Sequence, residues 1–433
     1  MTTTKNNEHK KLNVPNKQEQ NQTCLDAAER EGLRPKGNIP NLRFPEFQEE
    51  WEKCKLGTLT AKVGSGSTPK GGNAVYTSTG HCFVRSQNVG MGYLILDDVA
   101  HINDGIHQKH KATELKEDDV LLNITGASIG RTAIATKEIE GGNVNQHVCI
   151  IRANSKVSPK FLCNYIQTKK TQNYIQSLQT GGSREGLNFE QIRSFPISLP
   201  NIAEQNKIAQ LLDKLNERIA TQNKIIDKLQ SLIKGINQRV FMNNGINYKL
   251  GEICEIRSGY SGNQLLSKKG LKVSRIETIS GHKVNIERVG YVAPFESSDN
   301  YRLRVGDILF SNINSVEYIG NTAFIDKDYN LYHGMNLLRL TPNNMVVIPF
   351  YLYLLLNTNR MLNRFKTVCN KAVSQASINQ TELGKAVVQI PDINAQKQIC
   401  ELYQALYDKL ESEKYANSLF QKQKLYLLRQ IFI

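Results

Sequence analysis

The chain has 433 residues, which is long enough for two or three domains with hydrophobic cores of their own. Its 55 lysines and arginines outnumber its 40 acidic residues, and the formal charge of +15 favours a polyanionic partner such as nucleic acid. The eight cysteines include no Cys-x-x-Cys pair, and no segment is apolar enough for a signal peptide or a membrane span. These features exclude a secreted disulfide framework and predict a cytoplasmic protein that does not enter a membrane.

The first part of the chain divides into a tail and a folded domain. Residues 1–39 are rich in polar side chains and predict a disordered tail. Residues 40–200 alternate short apolar runs with turns, so we expect a domain of mixed strands and short helices. Within it, residues 120–124 and 147–151 have the pattern of strands, and residues 161–166 have that of a short buried helix.

Residues 201–245 predict a long helix with an apolar seam. The seam alternates steps of four and three residues, which is typical of a coiled coil, and its one polar member is Gln222. Its apolar members include Ile208, Leu212, Leu215, Ile219, Ile226, Leu229 and Ile233.

A second long helix is predicted at residues 393–433, where the same rhythm is interrupted by Glu413, Asn417 and Lys424. The apolar members of this weaker seam include Ile399, Leu406, Leu410 and Leu427. We expect the two helices to pair antiparallel. The alternative is that each helix packs separately on its own domain.

The second half of the chain repeats the landmarks of the first half in the same order. The motif Lys55-Leu-Gly57 returns as Lys249-Leu-Gly251, and the offset between later pairs remains nearly constant. Ordered repetition of this kind indicates a tandem duplication. Further landmark pairs are Ser65-Gly66 with Ser258-Gly259, Gly130 with Gly320, and Gln205 with Gln396.

The duplication predicts an α+β fold made of two similar domains. The first domain is expected at residues 40–200 and the second at residues 246–392, each followed by one of the long helices. The helices are expected to form an antiparallel coiled coil that gives the chain an internal pseudo-two-fold symmetry.

No reaction chemistry emerges from the sequence. A phosphate-binding Gly-x-x-x-x-Gly-Lys-Ser/Thr loop is missing, and so is the Pro-Pro pair that an amino-methyltransferase needs beside its target amine. Asp104 with Glu114 and Lys116 loosely resembles the acidic pair and lysine of a metal-dependent nuclease, but a solvated loop is the favoured interpretation. We therefore expect no catalytic residue, no metal and no cofactor bound by this chain.

With no reaction indicated, the sequence favours a protein that recognises nucleic acid. The duplication suggests how that recognition works. Two related domains held by paired helices can each read a short stretch of duplex, while the helices set the gap between the stretches. Because the two domains differ in most residues between the landmarks, the expected target is bipartite and asymmetric.

These landmarks resemble the specificity subunits of type I restriction–modification systems. The resemblance extends from about residue 40 to the end and is most specific in Pro200-Asn-Ile-Ala-Glu-Gln-Asn-Lys-Ile-Ala209. Gly66-Ser-Thr-Pro69 and Gly126-Ala-Ser-Ile-Gly130 also match. The second copy departs from the pattern, because Ala395 replaces the glutamate found at Glu204 and no Thr-Pro follows its glycine turn.

The resemblance implies two target recognition domains, two conserved spacer helices and a set of partners. They are double-stranded DNA, two modification subunits that methylate adenine with S-adenosylmethionine, and restriction subunits that use ATP and Mg²⁺. The specificity subunit itself is implied to be non-catalytic.

The candidate DNA-contacting residues lie at strand ends and in loops. Arginine, glutamine and asparagine are assigned to base edges, and lysine to phosphates. In the first domain they are Arg85, Gln87, Asn88, Lys109, His110, Lys111, Ser128, Arg131 and Arg184. In the second domain they are Arg275, Asn312, Asn314 and Gln375.

Three alternatives stay open at the level of sequence. The chain could be the specificity subunit of a related system that does not depend on ATP. It could be a self-contained metal-dependent nuclease using the acidic residues near Asp104, or a structural coiled-coil adaptor that binds only protein.

Overall fold

The computed structural model describes residues 37–179, 186–241, 245–371 and 375–433. Nearly all of the predicted tail, and the candidate residue Arg184, lie outside the described residues.

The chain forms two compact units. Unit 1 comprises Met1–Ala220 and Ser418–Ile433, and unit 2 comprises Thr221–Asn417. The boundaries fall inside the two long helices, so each unit contains one part of both helices.

Short strands and helices alternate through the described residues. The strands are β1 (Glu52–Lys55), β2 (Thr60–Ser65), β3 (His81–Val84), β4 (Ala100–Ile102), β5 (Val120–Asn123), β6 (Thr132–Ile134), β7 (Asn143–Val144), β8 (Val148–Ala153), β9 (Pro196–Leu199), β10 (Ile246–Lys249), β11 (Cys254–Ser258), β12 (Leu271–Val273), β13 (Gly290–Val292), β14 (Ile308–Phe310), β15 (Ile313–Asn314), β16 (Thr322–Phe324), β17 (Leu338–Pro342), β18 (Asn370–Lys371), β19 (Ala376–Ser377) and β20 (Val387–Ile390). The α-helices are α1 (Asp104–Lys109), α2 (Pro159–Ile166), α3 (Lys169–Ser177), α4 (Phe189–Arg193), α5 (Ile202–Val240), α6 (Leu250–Ile253), α7 (Pro349–Leu356), α8 (Asn359–Val368), α9 (Gln380–Gly384) and α10 (Ile393–Ile431).

Unit 1 is built on a four-stranded antiparallel sheet with the order β2-β8-β5-β6. The strands predicted at residues 120–124 and 147–151 are its central strands β5 and β8, paired with Leu121 opposite Ile150. Smaller sheets, β4-β3-β7 and β1-β9, flank it.

Both faces of this sheet are covered by apolar side chains, as expected for strands that are buried throughout. One core contains Trp51, whose ring centroid lies 5.8 Å from that of Phe161 on the predicted short helix, now α2. Leu121 and Ile150 belong to the core on the opposite face.

Unit 2 repeats this sheet. Its four strands are antiparallel in the order β11-β17-β14-β16, which is the order of unit 1 with each strand replaced by its counterpart. Leu309 stands opposite Arg339, as Leu121 stands opposite Ile150. The helix α7 corresponds to α2 and has the same length and a proline at its first position. The α+β fold and the duplication predicted from the sequence are therefore confirmed.

The long helices α5 and α10 pair antiparallel within each unit. In unit 1, Ile208 and Leu212 of α5 share a core with Leu428 and Ile431 of α10. In unit 2, the Tyr403 hydroxyl of α10 donates a hydrogen bond to Asn237 Oδ1 of α5. Asn417 Nδ2, further along α10, donates to Asn223 Oδ1, which lies earlier in α5, at 2.8 Å.

The predicted seam residues face the inside of these helix pairs. None of them is exposed, and Leu212 is completely inaccessible to solvent. Two of the polar interruptions predicted in the seams meet each other, because the Gln222 amide donates to the carboxylate of Glu413. A polar pair of this kind at a seam fixes the register of two helices. In the described residues, no helix is both long and apolar enough to cross a membrane.

Each long helix is fastened at its start by a buried glutamine. In unit 1, Gln205 Oε1 accepts from Ser158 N at 2.8 Å, and Gln205 Nε2 donates to the carbonyl oxygens of Lys156 and Pro200. In unit 2, Gln396 Oε1 accepts from Ile348 N at 2.8 Å, and its Nε2 donates to those of Val346 and Pro391.

Candidate nucleic-acid interface

In unit 1, polar loops gather at one end of the four-stranded sheet. Strands β2 and β5 end there and β8 begins there, because β8 runs antiparallel to both. We call residues 66–69, 124–131 and 145–147 the loop edge of unit 1. The edge has a polar surface at the end of a buried sheet, where side chains from several loops can contact one ligand.

A chain of hydrogen bonds crosses the loop edge. Thr68 Oγ1 donates to Gln146 Oε1, and Gln146 Nε2 lies 3.0 Å from His147 Nε2. His147 Nδ1 lies 2.6 Å from Thr125 Oγ1. Thr68 and Gln146 are exposed, whereas His147 and Thr125 are half-buried. The bonds therefore hold an exposed glutamine in a defined orientation.

The predicted basic cluster lies beside this edge. His110 Nδ1 is 3.1 Å from Ser67 Oγ, which places the end of α1 next to the loop that follows β2. Lys109 is exposed, and Lys111 binds Glu114 at 2.7 Å. This hydrogen bond from Lys111 lowers the pKa of Glu114.

The turn after Arg85 lies against the glycine loop through a buried asparagine. Asn123 Nδ2 donates to Ser86 O at 2.8 Å and to Ser128 Oγ at 3.1 Å. The structure thus places Ser128 beside the turn that carries Arg85 and Gln87. Arg131, at the end of the same glycine loop, is exposed.

The three candidates of this turn differ in their surroundings. Arg85 and Gln87 both contact Asp98, with Gln87 Nε2 at 3.2 Å from Asp98 Oδ2. Asn88 is 1% exposed, and its amide accepts from Arg85 N and donates to Ile95 O. Asn88 therefore stabilises the turn from inside and leaves no free edge for a base, so we remove it from the candidate contacts.

In unit 2, the short strand pair β15-β19 brings three predicted residues together. Asn314 stands opposite Ala376, the neighbour of the exposed Gln375, and Ile378 N donates to Asn312 O at 2.9 Å. Asn314 also lines a cleft of about 160 Å³ with residues of the turn at Ile276–Ile279. Arg275 stands at the start of that turn and donates from Nη2 to Gln264 Oε1.

The residues of the nuclease hypothesis are engaged with other side chains. Asp104 Oδ1 lies 2.7 Å from His81 Nε2, and Glu114 is bonded to Lys111. Within residues 37–179, 186–241, 245–371 and 375–433, no group of three or more His, Cys, Asp or Glu side chains is placed to hold a metal ion.

Sequence reasoning missed the central residues of the loop edge. Gln146 and His147 precede β8 without a local motif, and only the fold places them beside Thr125 and Thr68. The signal for Thr68 was the Gly66-Ser-Thr-Pro69 motif, which carries the family resemblance but does not reveal the contact with Gln146.

Comparison with known proteins identifies the family. Residues 48–231 and 245–418 each match the family described as "Type I restriction modification DNA specificity domain". The chain belongs to this family. It is therefore a specificity subunit and not an enzyme, as the sequence predicted.

Individual relatives agree with this specificity-domain assignment. Over 158 residues, 36% of this chain and 37% of the relative, it is 44% identical to a candidate MjaX type I restriction enzyme specificity subunit of Methanocaldococcus jannaschii. This local match thus spans little more than a third of that relative's length. The EcoKI specificity subunit of Escherichia coli K12 is 22% identical over 84% of this chain and 83% of its own.

A solved structure shares the fold. The S subunit of a type I restriction–modification system from M. genitalium superimposes with a TM-score of 0.58 at 16% identity, covering 91% of this chain and 99% of its own.

Proposed function

We propose that the chain recognises a bipartite, asymmetric duplex DNA target and holds modification and restriction subunits on it. The observation that supports this most directly is the presence of two specificity domains on matching sheets whose loop residues differ. Each unit would read one half of the target, and different loops would read different bases.

The charge and the loop residues support DNA as the ligand. The formal charge of +15 favours attraction to phosphates and a strong dependence of affinity on salt. Arg85, Gln87, Ser128 and Arg131 in unit 1, with Arg184 outside the described residues, would contact bases or nearby phosphates. Lys109 and Lys111, beside His110, would bind phosphates. In unit 2 the same roles would fall to Arg275, Asn312, Asn314 and Gln375.

The outward faces of the long helices would bind the modification subunits. In unit 2, Ile225 and Leu232 are seven residues apart on α5 and are 37% and 50% exposed. In unit 1, Leu211 of α5 and Leu425 of α10 are also exposed. Apolar residues repeated on one exposed helix face are suited to a protein partner. The methyl donor S-adenosylmethionine, and the ATP and Mg²⁺ for restriction, would be bound by those partners.

The decisive measurement is single-molecule sequencing of adenine methylation. Cells that express the chain with its neighbouring modification subunit should show a methylated motif of two different halves separated by a fixed gap. Cells lacking only this chain should not show it. A soluble complex that produces no new methylated motif would contradict the proposal.

Simple assays separate the proposal from the alternatives that the sequence left open. A self-contained nuclease would cleave duplex DNA as the purified chain with Mg²⁺ alone, and a protein-only adaptor would not bind DNA even with its partners. A specificity subunit of a system that does not depend on ATP would give the same methylation but restriction without ATP.

A further inference from the structure

We infer that Gln146 reads one adenine in the half-site bound by unit 1. This inference rests on the proposed function and adds a base and an atomic contact to it. It starts from the position of Gln146, which is exposed at the tip of the turn between β7 and β8 while both ends of its amide are held.

The two holding contacts use half of the amide's hydrogen-bonding capacity. A glutamine amide has two N–H donors and two acceptor positions on its oxygen. Thr68 occupies one position on Oε1 and His147 occupies one on Nε2. One N–H and one oxygen lone pair stay available to a ligand.

This pattern does not depend on which way the amide is turned. If the oxygen faced His147, the imidazole would donate from Nε2, Thr125 would donate to its Nδ1, and the amide nitrogen would donate to Thr68 Oγ1. Each partner can reverse its role, because hydroxyls and neutral imidazole both donate and accept. Either arrangement presents one donor and one acceptor.

A donor beside an acceptor matches one base edge in the major groove. Adenine presents the N7 acceptor next to the N6 amino donor, whereas guanine presents two acceptors, N7 and O6. A held glutamine therefore forms two hydrogen bonds with adenine and at most one with guanine. Because Thr68, His147 and Thr125 fix the amide beforehand, little side-chain freedom is lost on binding.

The surroundings of Gln146 favour this use. The same edge of unit 1 contains the exposed Arg131, and His110 places the end of α1, with the exposed Lys109, next to Ser67. These cations are suited to the phosphates that flank a base pair. In the corresponding turn before β17 in unit 2, Met335 stands at the position of Gln146, so unit 2 has no glutamine there to make the same contact.

The test combines a protein variant with altered bases. The complex of the chain with its modification subunits is titrated with duplexes in which each adenine of the first half-site is replaced in turn. The replacements are 7-deazaadenine, which lacks the N7 acceptor, and purine, which lacks the 6-amino group. The proteins are the wild type, Gln146→Ala, and the control Gln48→Ala, which changes an exposed glutamine outside the loop edge.

At one adenine, each replacement should weaken binding by the wild type and by Gln48→Ala about fivefold to tenfold. Gln146→Ala should bind unmodified DNA more weakly but lose nothing further from those replacements at that position. Replacements in the second half-site should affect all three proteins equally. If the effects of protein and base changes simply multiply at every adenine, the inference is wrong.

If the Gln146→Ala variant does not assemble with the modification subunits, a second variant tests whether Gln146 reads an adenine. Gln146→Glu keeps the size of the side chain but presents only acceptors, which suits the N4 amino group of cytosine. The methylated motif should then lose adenine at one position of the first half and gain cytosine there, with the second half unchanged. An unchanged motif would overturn the inference and leave the proposed function intact, whereas absence of any split motif with the wild type would overturn the function itself.

Discussion

At the scale of single residues, glycine is required at Gly66 and at its counterpart Gly259 for the same steric reason. A Cβ at Gly66 would lie 1.7 Å from the carbonyl oxygen of Val144, and one at Gly259 would lie 1.9 Å from that of Gly334. No side chain fits at either position. These glycines lie where the chain leaving β2 or β11 passes directly against the backbone that leads into the central strand β8 or β17.

A buried histidine should make the stability of unit 2 depend on pH. His333 is 1% exposed and its Nε2 bonds the carbonyl oxygen of Leu337 at 3.0 Å. Burial lowers its pKa to about 4, and the charge of Arg339 acts in the same direction. Above pH 6.5 the histidine is neutral in both states, so its contribution to stability is complete. As the pH falls towards 4, the unfolded chain binds the proton first and the native state is destabilised by up to about 3 kcal/mol.

Urea titrations followed by circular dichroism between pH 8 and pH 4.5 measure this effect. His333→Gln, which can still donate to Leu337 O, should lose that part of the pH dependence. His110→Gln, in a half-buried position of unit 1, is the matched control and should retain it. Equal pH dependence in wild type and His333→Gln would contradict the expected role of His333.

At the scale of elements, the start of each long helix explains which landmark residues were kept. Gln205 and Gln396 each bind one N–H and two carbonyl groups of the segments that meet at the start of the helix. Glu204 has a different task, because its carboxylate binds Arg43 of the segment before β1 at 2.7 and 2.8 Å. Ala395 stands at that position in unit 2 and cannot form such an ion pair, whereas the helix cap is kept, by Asn201 in unit 1 and Asp392 in unit 2.

Replacing the glutamine at the head of α10 should destabilise unit 2. Gln396→Ala leaves Ile348 N and the carbonyl oxygens of Val346 and Pro391 without their partner, at a cost of about 3 kcal/mol in the free energy of unfolding. Gln398→Ala, an exposed position on the same helix, should change it by less than about 0.5 kcal/mol. Urea midpoints of the two variants test this, and similar midpoints would exclude the proposed role of Gln396.

At the scale of the whole molecule, duplication has kept the sheets and helix seams while the loops diverged. Both units have the same strand order, yet the loop edge of unit 1 is organised around Thr68, Gln146 and His147, and unit 2 has the strand pair β15-β19 with Asn314 and Gln375. Buried strands tolerate few changes because their packing is dense, whereas loops at a sheet end can vary without loss of the core. The proposed target with two different half-sites requires such a division.

The gap between the half-sites should respond to helix length. Inserting one heptad at matched positions of α5 and α10 keeps the seam in phase and lengthens both helices by about 10 Å. The methylated motif should keep both halves and gain a gap of up to about three base pairs, given about 3.4 Å per base pair. The same insertion in α5 alone should disturb helix pairing and abolish methylation. An unchanged gap in the double insertion would show that the helices do not set the spacing.

The sequence by itself determined the periodic and repeated features of this protein. Heptad spacing predicted α5 and α10, alternation and apolar runs predicted β5, β8 and α2, and the ordered landmarks predicted the duplication. These features are local or repetitive, so they can be read along the chain. Only the tertiary structure decided which polar residues meet. It buried Asn88, joined Gln222 to Glu413 and joined Gln146 to Thr68, because such contacts depend on how distant segments pack and not on any period along the chain.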